Sequence, residues 1–184
     1  ISPDAKWLAA ASGVPGLNGV AVLFDLDSGD RVREYSQGHR DTLYGVAFSP
    51  DGQRLGTAGY DRLIQLWDAK TGKLLNTLKG HNGAVYGIAF SPDGKVLASA
   101  GGDSSVKLWN TTTGQRLDTF GQPTGEQFIT TFTPDSRHVI AAGADNQIRT
   151  WKWLSGDQAQ TNPPQPLRYA PADDITDPAS HPAC

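Results

Sequence analysis

Four histidines (His39, His81, His138, His181) and one cysteine (Cys184) offer the chain its widest scope for metal binding, proton transfer or thiol chemistry. The histidines are scattered and no Cys/His spacing suits zinc, so no metal site is expected. A single cysteine allows no intrachain disulfide, and Cys184 would open a Cys-x-x-Cys-His haem attachment only if that run continued beyond it. Glycine is abundant, yet neither a dinucleotide fingerprint nor a phosphate loop occurs, and no cofactor is expected. His39 or His81 could act as the base of a self-contained hydrolase. They stand 42 residues apart in two copies of one pattern, however, and a catalytic base is needed once.

That pattern sets the elements. Gly38-His39, Phe48-Ser49-Pro50-Asp51-Gly52, Ala58-Gly59-Tyr60-Asp61 and Leu66-Trp67-Asp68 return as Gly80-His81, Phe90-Ser91-Pro92-Asp93-Gly94, Ala100-Gly101-Gly102-Asp103 and Leu108-Trp109-Asn110. A worn third copy keeps Phe132-Thr133-Pro134-Asp135, Ala142-Gly143-Ala144-Asp145 and Trp151-Lys152. The intervals Ser49–Trp67, Ser91–Trp109 and Thr133–Trp151 are all eighteen residues. Such a period means one supersecondary unit stacked repeatedly, each burying an apolar face against the next. In the best copy, strands are expected at Leu43–Phe48, Arg54–Ala58, Leu63–Trp67 and Lys73–Leu78. The Ser-Pro-Asp-Gly segments read as the first turn, and Gly29, Gly72, Gly114 and Gly156 as the third.

An incomplete earlier copy aligns Ser2-Pro3-Asp4 with the first turn, Trp7–Ala11 with the second strand and Val20–Phe24 with the third. Its Ser2-to-Phe24 distance is four residues too long, which predicts an enlarged loop over Gly13–Gly19. Beyond Gly156 the alternation fails, and Pro163-Pro164-Gln165-Pro166 begins a proline-rich tail suited to a linker or strap. The expected division is a partial unit lacking its first strand (1–37), two full units (38–79 and 80–120), a degenerate unit (121–160) and the tail (161–184).

These residues resemble the WD-repeat (Trp-Asp) β-propeller family over about Ser2 to Gly156. The resemblance implies an all-β fold, with four-stranded antiparallel blades around a central channel. It also implies a structural clamp in each blade: a His before the first strand, a hydroxyl on the second, an Asp in the next turn and a Trp on the third. These map onto His39, Thr57, Asp61 and Trp67, and onto His81, Ser99, Asp103 and Trp109. Ser, His and Asp are also the vocabulary of nucleophilic catalysis, but two equally spaced sets that fade in the flanking copies point to a clamp. The third copy has Ala141 at the hydroxyl position and Gln122-Pro123 in place of Gly-His; the first has Ala10, Asn18 and Phe24. Both outer blades are therefore expected to be looser.

In the resembled family, partners engage one loop-ringed face. Its exposed positions map onto Thr42, Tyr44 and Tyr60, then Ala84, Tyr86 and Gly102, then Glu126, Phe128 and Ala144. Tyr44, Tyr60, Tyr86 and Phe128 are aromatic, as interface anchors commonly are, with Thr42 and Glu126 beside them.

A formal net charge of −3 without a basic run argues against nucleic-acid or anionic-membrane partners. No apolar stretch is long enough to span a bilayer and no signal peptide precedes the first copy, which favours the cytoplasm. The chain lacks methionine and opens with Ile1, so it is expected to be a processed product or a piece of a longer protein. Three and three-quarter blades do not close a ring, since closed propellers have about 4–8. Further blades of a parent chain, or a second copy, would cover the bare faces. The functional expectation is a non-catalytic protein-interaction scaffold. The alternative is a regulatory or substrate-positioning module of a larger enzyme or haem protein.

Overall fold

Short alternating segments bounded by turn residues favour strands over helices. The computed structural model describes residues 1–121 and 123–153, and fourteen strands and no helix occur among them. Sheet one holds β1 (Trp7–Val14), β2 (Asn18–Asp25) and β3 (Arg31–Tyr35). Sheet two holds β4 (Leu43–Phe48), β5 (Arg54–Gly59), β6 (Leu63–Asp68) and β7 (Leu74–Lys79). Sheet three holds β8 (Val85–Phe90), β9 (Val96–Gly101), β10 (Ser105–Asn110) and β11 (Arg116–Phe120). Sheet four holds β12 (Gln127–Phe132), β13 (His138–Gly143) and β14 (Ile148–Lys152). Every pairing is antiparallel between sequence neighbours, the signature of successive blades. Gly156 and the proline-rich tail lie outside the described residues, as does Cys184.

Apolar side chains form three layers, one in each seam between blades. Leu23 and Tyr35 of the first sheet meet Leu43, Leu55 and Trp67 of the second. Ile64, Leu66 and Leu78 meet Val85, Leu97 and Trp109. Val106, Leu108 and Phe120 meet Phe132, Val139 and Trp151. One rule recurs across the three seams. The last apolar residue of a blade's outer strand packs with the tryptophan of the next blade, so Tyr35 packs with Trp67, Leu78 with Trp109, and Phe120 with Trp151. Tyr35 and Trp67 meet edge-on at 5.7 Å, whereas Phe120 and Trp151 stack at 5.1 Å. Tyr35 also donates its hydroxyl to the Ala69 carbonyl at 2.6 Å, tying the first seam.

The enlarged loop expected over Gly13–Gly19 is not there. Its four surplus residues lengthen the hairpin: β1 and β2 stay in register out to Val14↔Asn18, leaving only Pro15-Gly16-Leu17 as the turn. Glycine and proline in this stretch suggested a loop, but Gly13 and Gly19 are paired strand residues. The lengthened hairpin lies against the start of the second blade, and the Gly16 N–H donates to Asp41 at 3.0 Å.

The two terminal faces differ from the seams. On the outward side of sheet one, Leu8 pairs with Phe24 and Ala10 with Val22, and Leu8 and Val14 are exposed. On sheet four, Ile129 and Ile148 are exposed. Among the described residues, neither face has a partner sheet.

Candidate functional site

A β-bulge interrupts the pairing of first and second strands in each of the last three blades. Leu43 pairs with Gly59 and Gly45 with Ala58, leaving Tyr44 as the extra residue. The same irregularity leaves Tyr86 extra between Val85 and Gly87, and Phe128 extra between Gln127 and Ile129. A bulged residue is turned out of the pleat, so a repeated bulge aims three aromatics at the rim. Tyr44 lies 5.4 Å from Tyr86, and Tyr86 lies 5.4 Å from Phe128, measured between ring centroids. Tyr60, in the turn between β5 and β6, extends the row 6.4 Å beyond Tyr44. Four aromatics from three blades thus form one ridge, with Tyr44, Tyr60 and Phe128 about half exposed.

Close approach of the inner strands makes this row continuous. A Cβ on Gly87 would lie 2.6 Å from the Phe128 carbonyl oxygen, so only glycine lets β8 run this near to β12. Beside the ridge, Tyr60, Tyr86, Asp41, Arg62 and Glu126 border an open polar cavity of about 490 Å³. The Tyr86 hydroxyl donates to Glu126 Oε2 at 3.4 Å, a weak contact. Burial, then the Glu126 charge, push the Tyr86 phenol above its ordinary range, so it remains a donor.

Thr42 departs from this group. It is half-buried beneath the long hairpin, its Cα 2.8 Å from where a Gly13 Cβ would stand. Its hydroxyl is buried without a partner among the described residues, so Thr42 offers nothing at the ridge. Ala84 is buried, Tyr86 and Gly102 are half-buried, and Tyr44, Tyr60, Glu126, Phe128 and Ala144 are exposed. Ile129, 62% exposed, adjoins Phe128 and was not singled out by sequence; the alternation of β12 hides it because the bulge shifts the register.

The histidine sets form closed hydrogen-bonded chains. Trp67 Nε1 donates to Thr57 Oγ1 at 2.9 Å, and Thr57 contacts His39 Nε2 at 2.9 Å. His39 Nδ1 contacts Asp61 at 2.9 Å. In the next blade Trp109, Ser99, His81 and Asp103 repeat the order at 2.8, 2.7 and 3.0 Å. The carboxylate can only accept, so Nδ1 carries the hydrogen that faces it; Nε2 of the neutral ring then accepts from the hydroxyl, whose oxygen in turn accepts the indole N–H. Asp61 and Asp103 also accept the backbone N–H groups of Arg40 and Asn82, pinning the loop before each inner strand. Burial raises the Asp103 carboxyl, but hydrogen bonds from His81, Ser105 and Asn82 outweigh it and hold the group well below the usual carboxylate range. Asp61 is lowered in the same way.

Within these chains the oxygens of Thr57 and Ser99 are fully buried and already accept an indole N–H. Ser99 therefore has the neighbours of a nucleophile without an approach for substrate. Among the described residues, no group of three His, Cys, Asp or Glu side chains could hold a metal ion.

The fourth blade rebuilds part of the clamp from other residues. Asp145 still accepts the Thr124 N–H at 3.3 Å, and Arg149 pairs with it from the position where Lys107 lies 3.5 Å from Asp103. Gln127 fills the imidazole space: its Nε2 lies 2.6 Å from a Cβ built on Gly143, as His81 Nδ1 lies 2.6 Å from one built on Gly101. With Ala141 in place of the hydroxyl, Trp151 Nε1 and Gln127 Oε1 are both buried without a partner among the described residues. In the first blade, Asn18 caps only its own hairpin, accepting the Val14 N–H at 3.2 Å.

Comparison with known proteins agrees with this geometry. The family model "WD domain, G-beta repeat" matches residues 29–68, 72–110 and 114–152. An uncharacterized WD repeat-containing protein of Synechocystis is 44% identical over 79 residues, 42% of this chain and 21% of its own length. Eukaryotic translation initiation factor 3 subunit I of Phaeosphaeria nodorum is 42% identical over 53 residues, 29% of this chain and 16% of its own length. Protein groucho of Drosophila melanogaster is 36% identical over 75 residues, 41% of this chain and 10% of its own length. The chain thus spans no more than about a fifth of these relatives. Repeated blades, duplicated His–hydroxyl–Asp–Trp chains and three consecutive family matches lead to one conclusion: the chain belongs to the WD-repeat family.

Proposed function

We propose that this chain is a non-catalytic scaffold that binds a protein partner on the ridge formed by Tyr60, Tyr44, Tyr86 and Phe128. The continuous exposed ridge carries the reading. Aromatic rings present large apolar area at small entropic cost, and a polar cavity beside them supplies the rim that interfaces commonly have. The family is one whose members mediate protein–protein interaction, which supports the same assignment. Closed access to Ser99 and Thr57 supports the non-catalytic part.

The test is capture of cellular proteins by the wild-type chain and by the Tyr44→Ala/Tyr86→Ala double variant. Both side chains stand at bulges outside the seams, so melting should change little, while specific captures should fall at least tenfold. An identical set of captured proteins at full yield, with the fold intact, would sink the ridge as the docking site.

A further inference from the structure

The turn ends of the blades, opposite the aromatic ridge, expose the three seams to a direct comparison. One position decides how each seam closes there. Ala69, Thr111 and Trp153 are equivalent, because their N–H groups donate to the carbonyls of Gln53, Lys95 and Arg137 in the same place in each blade. In the third seam, Trp153 packs against the apolar layer, and the cavity beside it holds only about 120 Å³. In the second, Arg54 reaches across and donates to Thr111 Oγ1 at 2.8 Å, filling the gap. In the first, Trp7 stands where Arg54 does and Ala69 has no group to meet it. A cavity of about 480 Å³ is left.

The walls of that cavity are apolar: Trp7, Leu23, Val32, Phe48 and Ala69. Its charged lining residues are Arg33 and Lys70, both cationic, and no carboxylate lines it. Arg33 is held by its Nη1 donating to the Thr71 carbonyl at 3.1 Å and by its stem packed on Gly72. Its Nε is buried without a partner among the described residues. A guanidinium fixed in this way is pre-organised for an anion, losing little side-chain freedom on contact. The volume falls within the roughly 300–1,000 Å³ of sites that take small organic ligands.

We propose that this seam is a binding site for a small amphipathic carboxylic acid. Its aromatic or branched apolar body would enter between Trp7 and Phe48, and its carboxylate would meet Arg33 and Lys70. The proposal is independent of the ridge, which lies at the other ends of the strands. Apolar walls alone would accept neutral molecules equally well, so the anionic preference is the distinguishing property.

Calorimetric titration of the whole chain with naphthylacetate, and separately with naphthylacetamide, tests it. Saturable one-to-one binding of the acid is expected, at least fivefold tighter than the amide. Ala69→Trp, which copies the third seam's own closure, should weaken the acid at least tenfold while leaving the fold intact. Arg33→Gln should weaken the acid and leave the amide unchanged, which keeps the test decisive if the tryptophan variant fails to fold. Absence of saturable binding, or affinity untouched by Ala69→Trp in a folded variant, overturns the site. Equal affinity for acid and amide overturns the anionic assignment. An acidic peptide containing tryptophan that binds tenfold more tightly than naphthylacetate overturns the small-molecule assignment.

Discussion

Trp151 holds the position of Trp67 and Trp109, yet its indole N–H has no acceptor among the described residues. The cause is one missing oxygen at Ala141, where Thr57 and Ser99 stand in the intact clamps. Gln127 Oε1, in the space of the absent imidazole, is unpartnered too. A hydroxyl introduced by Ala141→Ser would accept from Trp151 and donate to Gln127, satisfying both at once. Each buried orphan costs about 1–3 kcal/mol, so the variant should melt several degrees higher. A melting temperature at or below that of the wild type would mean that the amide does not occupy the histidine's place.

Asp103 shows the opposite case, a fully used carboxylate. Its removal by Asp103→Ala should destabilise by about 1–3 kcal/mol, because His81, Ser105 and Asn82 lose their acceptor together. The carboxyl is held below its ordinary value of 3.8, so its stabilisation is complete above that value and is lost as pH falls below it. The melting gap between wild type and Asp103→Ala is therefore expected to be constant at neutral pH and to narrow below about pH 4. A gap that persists unchanged into strong acid would show that the charge is not what holds the loop.

The first turn of every blade rests on a device that glycine and proline conceal. Ser2, Ser49, Ser91 and Thr133 each donate to the Asp two residues on, at 2.5–2.6 Å. The same hydroxyls accept the N–H of Trp7, Arg54, Val96 and His138. Repetition of hydroxyl-Pro-Asp in all four copies, even where the following glycine is lost, was the available signal. Where glycine is lost, the backbone conformation survives: Ala5 and Ser136 have φ of 56° and 59°, against 68° and 70° at Gly52 and Gly94. A side chain in that region costs about 1–2 kcal/mol, partly offset by the entropy glycine loses on folding. Ser136→Gly should consequently stabilise by about 0.5–1 kcal/mol in thermal melting, despite removing a side chain. A loss of stability would show that Ser136 makes contacts worth more than its strain.

Strand positions were legible because side-chain alternation and turn residues agree along each copy. In the second blade, for instance, β4 spans Leu43–Phe48, the limits its apolar pattern sets. The extension of the first hairpin was not legible, since Gly13, Asn18 and Gly19 are weak strand formers that pair against the neighbouring blade. Nor was the exchange of His for Gln127 in the fourth blade. It depends on volumes and directions that spacing does not encode. The aromatic ridge was legible as a set of positions only through family resemblance. The bulges that aim it are a property of backbone pairing.

At the scale of the whole molecule, stability should be graded along the array, because a blade contributes its own pairing plus its interfaces with neighbours. The second and third sheets are packed on both faces and hold complete clamps; β9 and β10 are buried almost throughout. The first sheet has a bare outward face with Leu8 and Val14 exposed, and the fourth has Ile129 and Ile148. Each terminal sheet therefore opens without disturbing more than one seam. Amide hydrogen exchange should be slowest in β5, β6, β9 and β10, and faster by orders of magnitude in β1 and β14. Uniform protection across the four sheets would mean that the seams couple all blades into one cooperative unit. A second copy covering a terminal face would instead give protection of β1 or β14 that rises with protein concentration, and Leu8→Glu together with Ile148→Glu would abolish that rise. Exchange measured at two concentrations in both backgrounds thus separates intrinsic grading from association.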